Sequence, residues 1–385
     1  MKKQNMINEI KIIPALFFLS MLVSGLQAQT LKYVFSNTKQ GIHVENDGET
    51  TLYVFSNSKQ GLNVEYNGKI AFEPDERSIK AISDGGYLRI EKTTPANSRE
   101  LLIKSTGNSL NYEYREDGII KPYEPDGKAW LSEILPELIK TTSIAAESRV
   151  DQLYATGGIS EVVKALPELE GDLVRAAYLK LLLDKKIKEE DISTIINVVG
   201  SQVQSDHYRF EIFKKLFPEN TATSEDLFKA VEFIDSDHYK SQLIEPYVVS
   251  LLIAGQQQNA SRLLRTVSSD HYKYHIIQGL GSRSLSADAL KGVLKVAMAE
   301  IDSDHYKSEL LESLLKSGNM NEERLLILID NAQHVGSEHY KAGFLQAVCN
   351  TNPKEKVMDN LRVTAKSIQS PHFYGEVMRC LNSGK

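Results

Sequence analysis

The stretch Ser303-Asp304-His305-Tyr306-Lys307 decides how this 385-residue chain is read, because it does not occur only once. Upstream it returns as Ser269-Asp270-His271-Tyr272-Lys273, Ser236-Asp237-His238-Tyr239-Lys240 and Ser205-Asp206-His207-Tyr208-Arg209. Downstream it weakens to Ser337-Glu338-His339-Tyr340-Lys341 and Ser370-Pro371-His372-Phe373. The steps from first copy to last are 31, 33, 34, 34 and 33 residues, and a degenerate copy, Gly171-Asp172-Leu173-Val174-Arg175, stands 34 before Ser205. Self-similarity at a period of roughly 20–50 residues is the mark of a repeat array.

Each period spells two helices. Ahead of the opening stretch, Leu290, Val293, Leu294, Ala297, Met298 and Ile301 recur at spacings of three and four, on one face of a first helix. Asp302-Ser303 breaks the pattern, and Tyr306, Leu310, Leu311, Leu314 and Leu315 mark a second helix ending near Gly318. A single pair cannot bury its apolar stripe, whereas stacked neighbours can, so the array is expected to be a solenoid.

Each residue of the string suits one place. Ser stands where the second helix begins, and its hydroxyl can accept from a free amide two or three residues on. Asp in the next position sets negative charge at the positive helix end. Pro371 fits the same register, because the first helical turn tolerates proline. Tyr is expected to pack its ring between the paired helices, and the Lys or Arg after it to be solvated.

The N-terminal third is patterned differently. From Leu31 to Tyr123, Val, Ile, Tyr and Phe alternate with polar residues, and Asn46-Asp47-Gly48, Asn67-Gly68 and Asp117-Gly118 suit tight hairpins. Tyr33-Val34-Phe35-Ser36-Asn37-Thr38-Lys39-Gln40-Gly41 recurs twenty residues later as Tyr53-Val54-Phe55-Ser56-Asn57-Ser58-Lys59-Gln60-Gly61, as a hairpin repeated in an antiparallel sheet would. Helical periodicity starts at Trp130, after Glu124-Pro125-Asp126-Gly127. The expected organisation is a signal peptide over 1–28, an antiparallel β domain with a duplicated hairpin over 29–124, and helix-pair repeats of about 33–34 residues over 125–385.

Lys2 and Lys3, the apolar run Ile12 to Val23 and the small residues closing at Ala28 read as a secretory signal, too short to span a bilayer comfortably. The mature protein is then expected outside the cytoplasm, periplasmic or extracellular, with no membrane span. A net charge of −6 and the lack of a basic patch argue against nucleic-acid binding. Cys349 falls on an apolar helix position, which favours buried free thiols for Cys349 and Cys380; an oxidising compartment would also allow them to pair.

The six histidines of the string (His207, His238, His271, His305, His339 and His372) form the one constellation to weigh as a metal site. Neighbouring helices lie about 8–10 Å apart, about twice what two ligands of one ion can bridge, so a packing role is favoured. His271 and His275 share a helix face at a spacing of four but lack a third local ligand. Gly279-Leu280-Gly281 reads as a helix stop. No phosphate loop, Gly-x-Ser-x-Gly elbow or Cys-x-x-Cys occurs. No catalytic residue, cofactor or metal is therefore expected, and the string is read as structural. The tyrosines Tyr33, Tyr53, Tyr66, Tyr87, Tyr112 and Tyr114 are read as cross-strand packing rather than a sugar-binding surface.

Gly86-Tyr87-Leu88-Arg89-Ile90-Glu91, Trp130-Leu131-Ser132-Glu133-Ile134-Leu135-Pro136-Glu137-Leu138-Ile139 and the Ser-Asp-x-Tyr repeats resemble a group of exported bacterial proteins in which a β segment precedes a helical array. Similar regions form extracytoplasmic parts of zinc membrane peptidases related to the beta-lactam-sensing regulators. The resemblance covers roughly residues 60 to 385 and implies HEAT-like repeats. With it, the expected fold class is α+β: an N-terminal antiparallel β domain followed by a right-handed HEAT-like α-solenoid of helix pairs. The peptidase's His-Glu-x-x-His is missing, so no activity carries over. The function expected is a non-enzymatic scaffold engaging a protein partner in the cell envelope. The alternative is a sensor ectodomain acting with a separate membrane signalling partner.

Overall fold

Alternating and three-to-four periodicity place the elements where expected. The computed structural model describes residues 35–37, 42–46, 50–56, 61–107, 109–218, 224–280, 285–317 and 320–383. The signal-like segment 1–28 and Tyr33 lie outside the described residues, as do Asp47-Gly48, Gly281 and Gly318.

The strands are β1 (Phe35–Asn37), β2 (Ile42–Asn46), β3 (Thr50–Ser56), β4 (Gly61–Asn67), β5 (Ile70–Phe72), β6 (Ile79–Ile82), β7 (Tyr87–Thr93), β8 (Ser98–Thr106), β9 (Ser109–Glu116) and β10 (Ile119–Lys121). Eight of them form one sheet in the order β1-β2-β3-β4-β7-β8-β9-β10, while β5 and β6 pair separately. The duplicated segment becomes the antiparallel hairpins β1–β2 and β3–β4. A cross-strand row runs Tyr53, Val64, Ile90, Leu101, all buried, between strand positions that carry Asn63, Glu65, Arg89, Glu91 and Glu100. This is a strand's two-residue period with one side apolar. Asp117 and Gly118 turn β9 into β10 with φ of +50° and +79°, the left-handed pair that a two-residue hairpin requires.

The helices are α1 (Lys128–Thr141), α2 (Ala146–Ala165), α3 (Asp172–Leu182), α4 (Glu189–Gln202), α5 (Asp206–Leu216), α6 (Ser224–Glu232), α7 (Asp237–Ile253), α8 (Gln257–Leu264), α9 (Asp270–Gln278), α10 (Ala287–Glu300), α11 (Asp304–Lys316), α12 (Glu322–Asn331), α13 (Glu338–Cys349), α14 (Glu355–Ala365) and α15 (Pro371–Ser383). All six apolar positions named for the first helix of the Ser303 unit are buried, as are Leu310, Leu311 and Leu314 of the second. Second helices stack in sequence order from α3 through α5, α7, α9, α11 and α13 to α15, and first helices pack α4 on α6 and α8 through α10 and α12 to α14. One continuous apolar core runs from Ala146 to Leu381. The fold is thus α+β, an antiparallel sheet followed by an array of helix pairs.

The chain divides into two compact units, and the division does not fall at one point along it. The described residues up to Gly68, with Gly85–Lys104 and Asn111–Lys121, form the first; Lys69–Asp84, Ser105–Leu110 and everything from Pro122 form the second. The β5–β6 hairpin therefore belongs with the helices. Ser148 Oγ donates to the Ile70 carbonyl at 3.2 Å, and half-buried Arg149 bridges Glu76 and the Tyr178 hydroxyl, each at 2.5 Å.

The favoured reading of the cysteines is corrected. Cys349 and Cys380 form a disulfide, and the described residues contain no free cysteine. Cys349 ends α13 and Cys380 lies near the end of α15; these helices pack side by side with the two Cα atoms 6.4 Å apart. An apolar surrounding does not prevent pairing when the next repeat presents its own thiol at the matching place.

Candidate functional site

Every second helix opens with the repeated string, so its four side chains recur along one edge of the array. Ser205, Ser236, Ser269, Ser303 and Ser337 occupy the residue before the helix with extended φ and ψ, as expected of a cap. Their hydroxyls, however, make no capping hydrogen bond. That expectation is overturned: the side chain that binds amides at this point is the acid of the preceding repeat, and it takes those of the Ser itself and the residue before it.

Asp172 accepts from the amides of Gln204 and Ser205, and Asp206 from those of Asp235 and Ser236. Asp237 holds Ser268 and Ser269, Asp270 holds Asp302 and Ser303, Asp304 holds Gly336 and Ser337, and Glu338 holds Gln369 and Ser370. All these bonds measure 2.6–3.1 Å. A carboxylate accepting from amides is a charge-assisted bond, and each one fastens a repeat to the start of the next. The longer Glu338 reaches the same two amides as Asp does elsewhere. Ser370 completes the series as an amide donor, and Pro371 begins α15 as its register required.

At four of the strings the basic residue bonds the next repeat rather than being solvated as expected. Arg175 donates to the Gln202 carbonyl at 3.1 Å, Arg209 to that of Phe233 at 2.7 Å, and Lys273 to that of Glu300 at 2.8 Å; Lys341 points at Ser367 Oγ at 3.4 Å. Each target lies three residues before the Ser of the next repeat, where a first helix leaves carbonyls unpaired and its dipole is negative. Arg209 also holds the carbonyls of Val203 and Gly200. A Cβ at Gly200 would stand 2.2 Å from the Phe233 ring, so a side chain there requires that ring to move.

His207, His238, His271, His305, His339 and His372 are all exposed. Each of the first five rests on the aromatic ring of the next repeat: Tyr239, Tyr272, Tyr306, Tyr340 and Phe373, with centroids 5.4–5.9 Å apart. The Tyr239 and Tyr306 hydroxyls lie 3.4 and 3.3 Å from Nδ1 of His207 and His271. Tyr239 and Tyr306 also stack on Phe210 and Tyr274 of the repeat before. The rings therefore bridge successive repeats. Burial, with the charge of Asp172, pushes the Tyr208 hydroxyl up to about 12. Four residues after each histidine the side chain changes with the repeat. His238 has Gln242 at 2.8 Å, His305 has Glu309 at 3.8 Å, His372 has Glu376 at 3.5 Å, and His271 has His275 with ring centroids 4.3 Å apart.

A groove of about 680 Å³ opens beside this row, because α9 has 9 residues and α11 has 13. Tyr274, His275, Gln278, Glu309, Glu312 and Lys316 are among the residues that line it. Burial raises the Tyr274 hydroxyl, and the charge of Glu309 adds to the effect. Burial also raises Glu245 of α7, against the opposing pull of His275. Among the described residues no group of three or more His, Cys, Asp or Glu is placed to hold a metal ion, and no helix is long and apolar enough to cross a membrane.

In the sheet, Tyr53 and Tyr66 stack across β3 and β4 at 6.5 Å, and the Tyr87 hydroxyl donates to Glu65 at 2.5 Å. These tyrosines are cross-strand partners.

No family model and no curated protein matches the chain. Among solved structures, one from the computational design of self-assembling cyclic protein homo-oligomers is 13% identical. The match covers 66% of this chain and 82% of that one at a TM-score of 0.13, from which nothing follows for this fold or function.

Proposed function

We propose that the protein is an exported, non-enzymatic scaffold that binds another protein of the cell envelope along the histidine edge of its second helices. The observation that carries this reading is the degenerate copy at 171–175. It keeps the acid and the base, Asp172 and Arg175, and both make the usual bonds to the next repeat. It has Leu173 and Val174 where the other copies have His and an aromatic residue. A repeat joint is therefore complete without histidine, yet six exposed histidines recur in register. A solenoid edge with one aromatic and one imidazole per repeat is an extended, polarised contact surface. The resemblance to exported proteins and the signal-like N-terminus support export, and a disulfide is at home in an oxidising compartment.

The test is site-specific photocrosslinking in envelope preparations. A photoreactive residue at His271 or His305 should yield the same adduct from both positions. The same residue at Lys291 or Lys356, exposed on first helices, should yield none. Absence of adducts along the row, or identical adducts from all four positions, refutes the reading.

A further inference from the structure

We propose that α9 carries a bis-imidazole site for a late first-row divalent cation such as Zn2+ or Ni2+, formed by His271 and His275. The inference does not depend on the scaffold reading. Two features of the structure add to a spacing that, as sequence, lacked a third donor.

The first is geometry. The rings stand with centroids 4.3 Å apart and planes at 84°. An imidazole nitrogen binds such ions at about 2.0–2.1 Å, which puts the ring centre about 3.2 Å from the metal. Two rings subtending between a right and a tetrahedral angle would then have centroids about 4.6–5.3 Å apart. The observed pair needs to open by about 1 Å or less, a side-chain adjustment on an exposed helix face. Both histidines are exposed. His271 Nδ1 faces the Tyr306 hydroxyl at 3.3 Å, which leaves Nε2 as the ligating atom and lets the phenol orient the ring, as outer partners of metal-bound imidazoles commonly do.

The second is room. His275 lines the groove between α9 and α11, and Glu309 lines the same groove. The remaining coordination positions open onto that space and would be filled by water, since no third protein donor is in place. Two nitrogen donors with water suit borderline ions rather than Mg2+ or Ca2+, which take oxygen donors. The neighbouring repeats supply internal controls: four residues after their histidines stand Glu211, Gln242, Glu309, Gly343 and Glu376. At that position an imidazole stands in the His271 repeat alone.

Equilibrium dialysis and calorimetry of the full-length protein with Zn2+ and with Ni2+ test the proposal. One equivalent should bind, and H271A and H275A should each bind about tenfold or more weakly, because even outer partners of a ligand are worth roughly 10–100-fold. H305A, which removes a row histidine without touching the pair, should bind as the wild type does. Circular dichroism of each variant confirms that the exposed substitutions leave the fold intact. Undiminished binding by H275A, no binding to the wild type, or an equal loss in H305A would each overturn the assignment.

Discussion

Replacing Asp270 with alanine isolates what one carboxylate contributes to a repeat joint. The Asp270 carboxylate holds the Ser303 amide at 2.6 Å and the Asp302 amide at 3.0 Å, and faces Lys273 Nζ at 3.5 Å. The Ser303 amide is half-buried, and a charge-assisted bond there contributes about 1.5–3 kcal/mol. Asp302 is exposed, so its amide rehydrates and costs about 0.5 kcal/mol. Lys273 is buried but keeps the Glu300 carbonyl at 2.8 Å, which limits the loss of its charge partner to about 1 kcal/mol. The sum is about 3–4.5 kcal/mol, concentrated at the start of α11. Repeat arrays need not unfold in one step, so native-state hydrogen exchange is the suitable assay. Protection at the 302–303 amides should fall by about two to three orders of magnitude. Ser303→Ala is the counterpart. An ordinary cap serine lost to alanine costs about 0.5–2 kcal/mol, but this hydroxyl caps nothing, and the substitution should stay within about 0.5 kcal/mol. If S303A proves as costly as D270A, or if D270A leaves exchange at 302–303 unchanged, the latch between repeats is misassigned.

Two further outcomes follow from buried chemistry. Burial pushes Glu300 up, but bonds from Arg265 and Ser261 and the charges of Arg265 and Lys273 outweigh it and hold the carboxyl below its ordinary 4.5. Its contribution is therefore fully present above about pH 4.5 and lost as pH falls through the lowered folded value; in urea titrations the gap between wild type and E300Q should close on acidification, and a pH-independent gap would count against the pairing. The disulfide spans 31 residues, which in the chain-entropy picture restrains the unfolded chain by about 4 kcal/mol. Reduction or C380S should speed proteolysis within α15 while cleavage elsewhere is unchanged, and equal rates before and after reduction would show that the bond restrains nothing.

Much of the fold could be read from spacing. The three-to-four pattern around Leu290 and Leu310 gave both helices of a unit, and Pro371 marked a helix start correctly. The alternation around Val64 and Ile90 gave the strands. The site was less legible, because its partners lie a full repeat away. Local rules assign Asp270 to its own helix end and Ser303 to a cap, whereas the structure joins the two residues across 33 positions. Lys273 looks like a surface residue until the end of α10 is brought over it. One signal was available: the degenerate copy kept only Asp172 and Arg175 of the polar string, the acid that latches every joint and a base that bonds the next repeat. The β5–β6 excursion left no comparable mark, since its strands have three and four residues.

The latches also have a direction. In each one the acid belongs to the earlier unit and the amides to the later. If the later unit detaches, it leaves behind a carboxylate that water solvates well; if the earlier one detaches, it strands the start of a helix. Unravelling is therefore cheaper from the C-terminal end, where Pro371 offers no acid to any successor. That is the end at which Cys349 and Cys380 are bonded. The covalent clip thus stands where the ladder is easiest to peel.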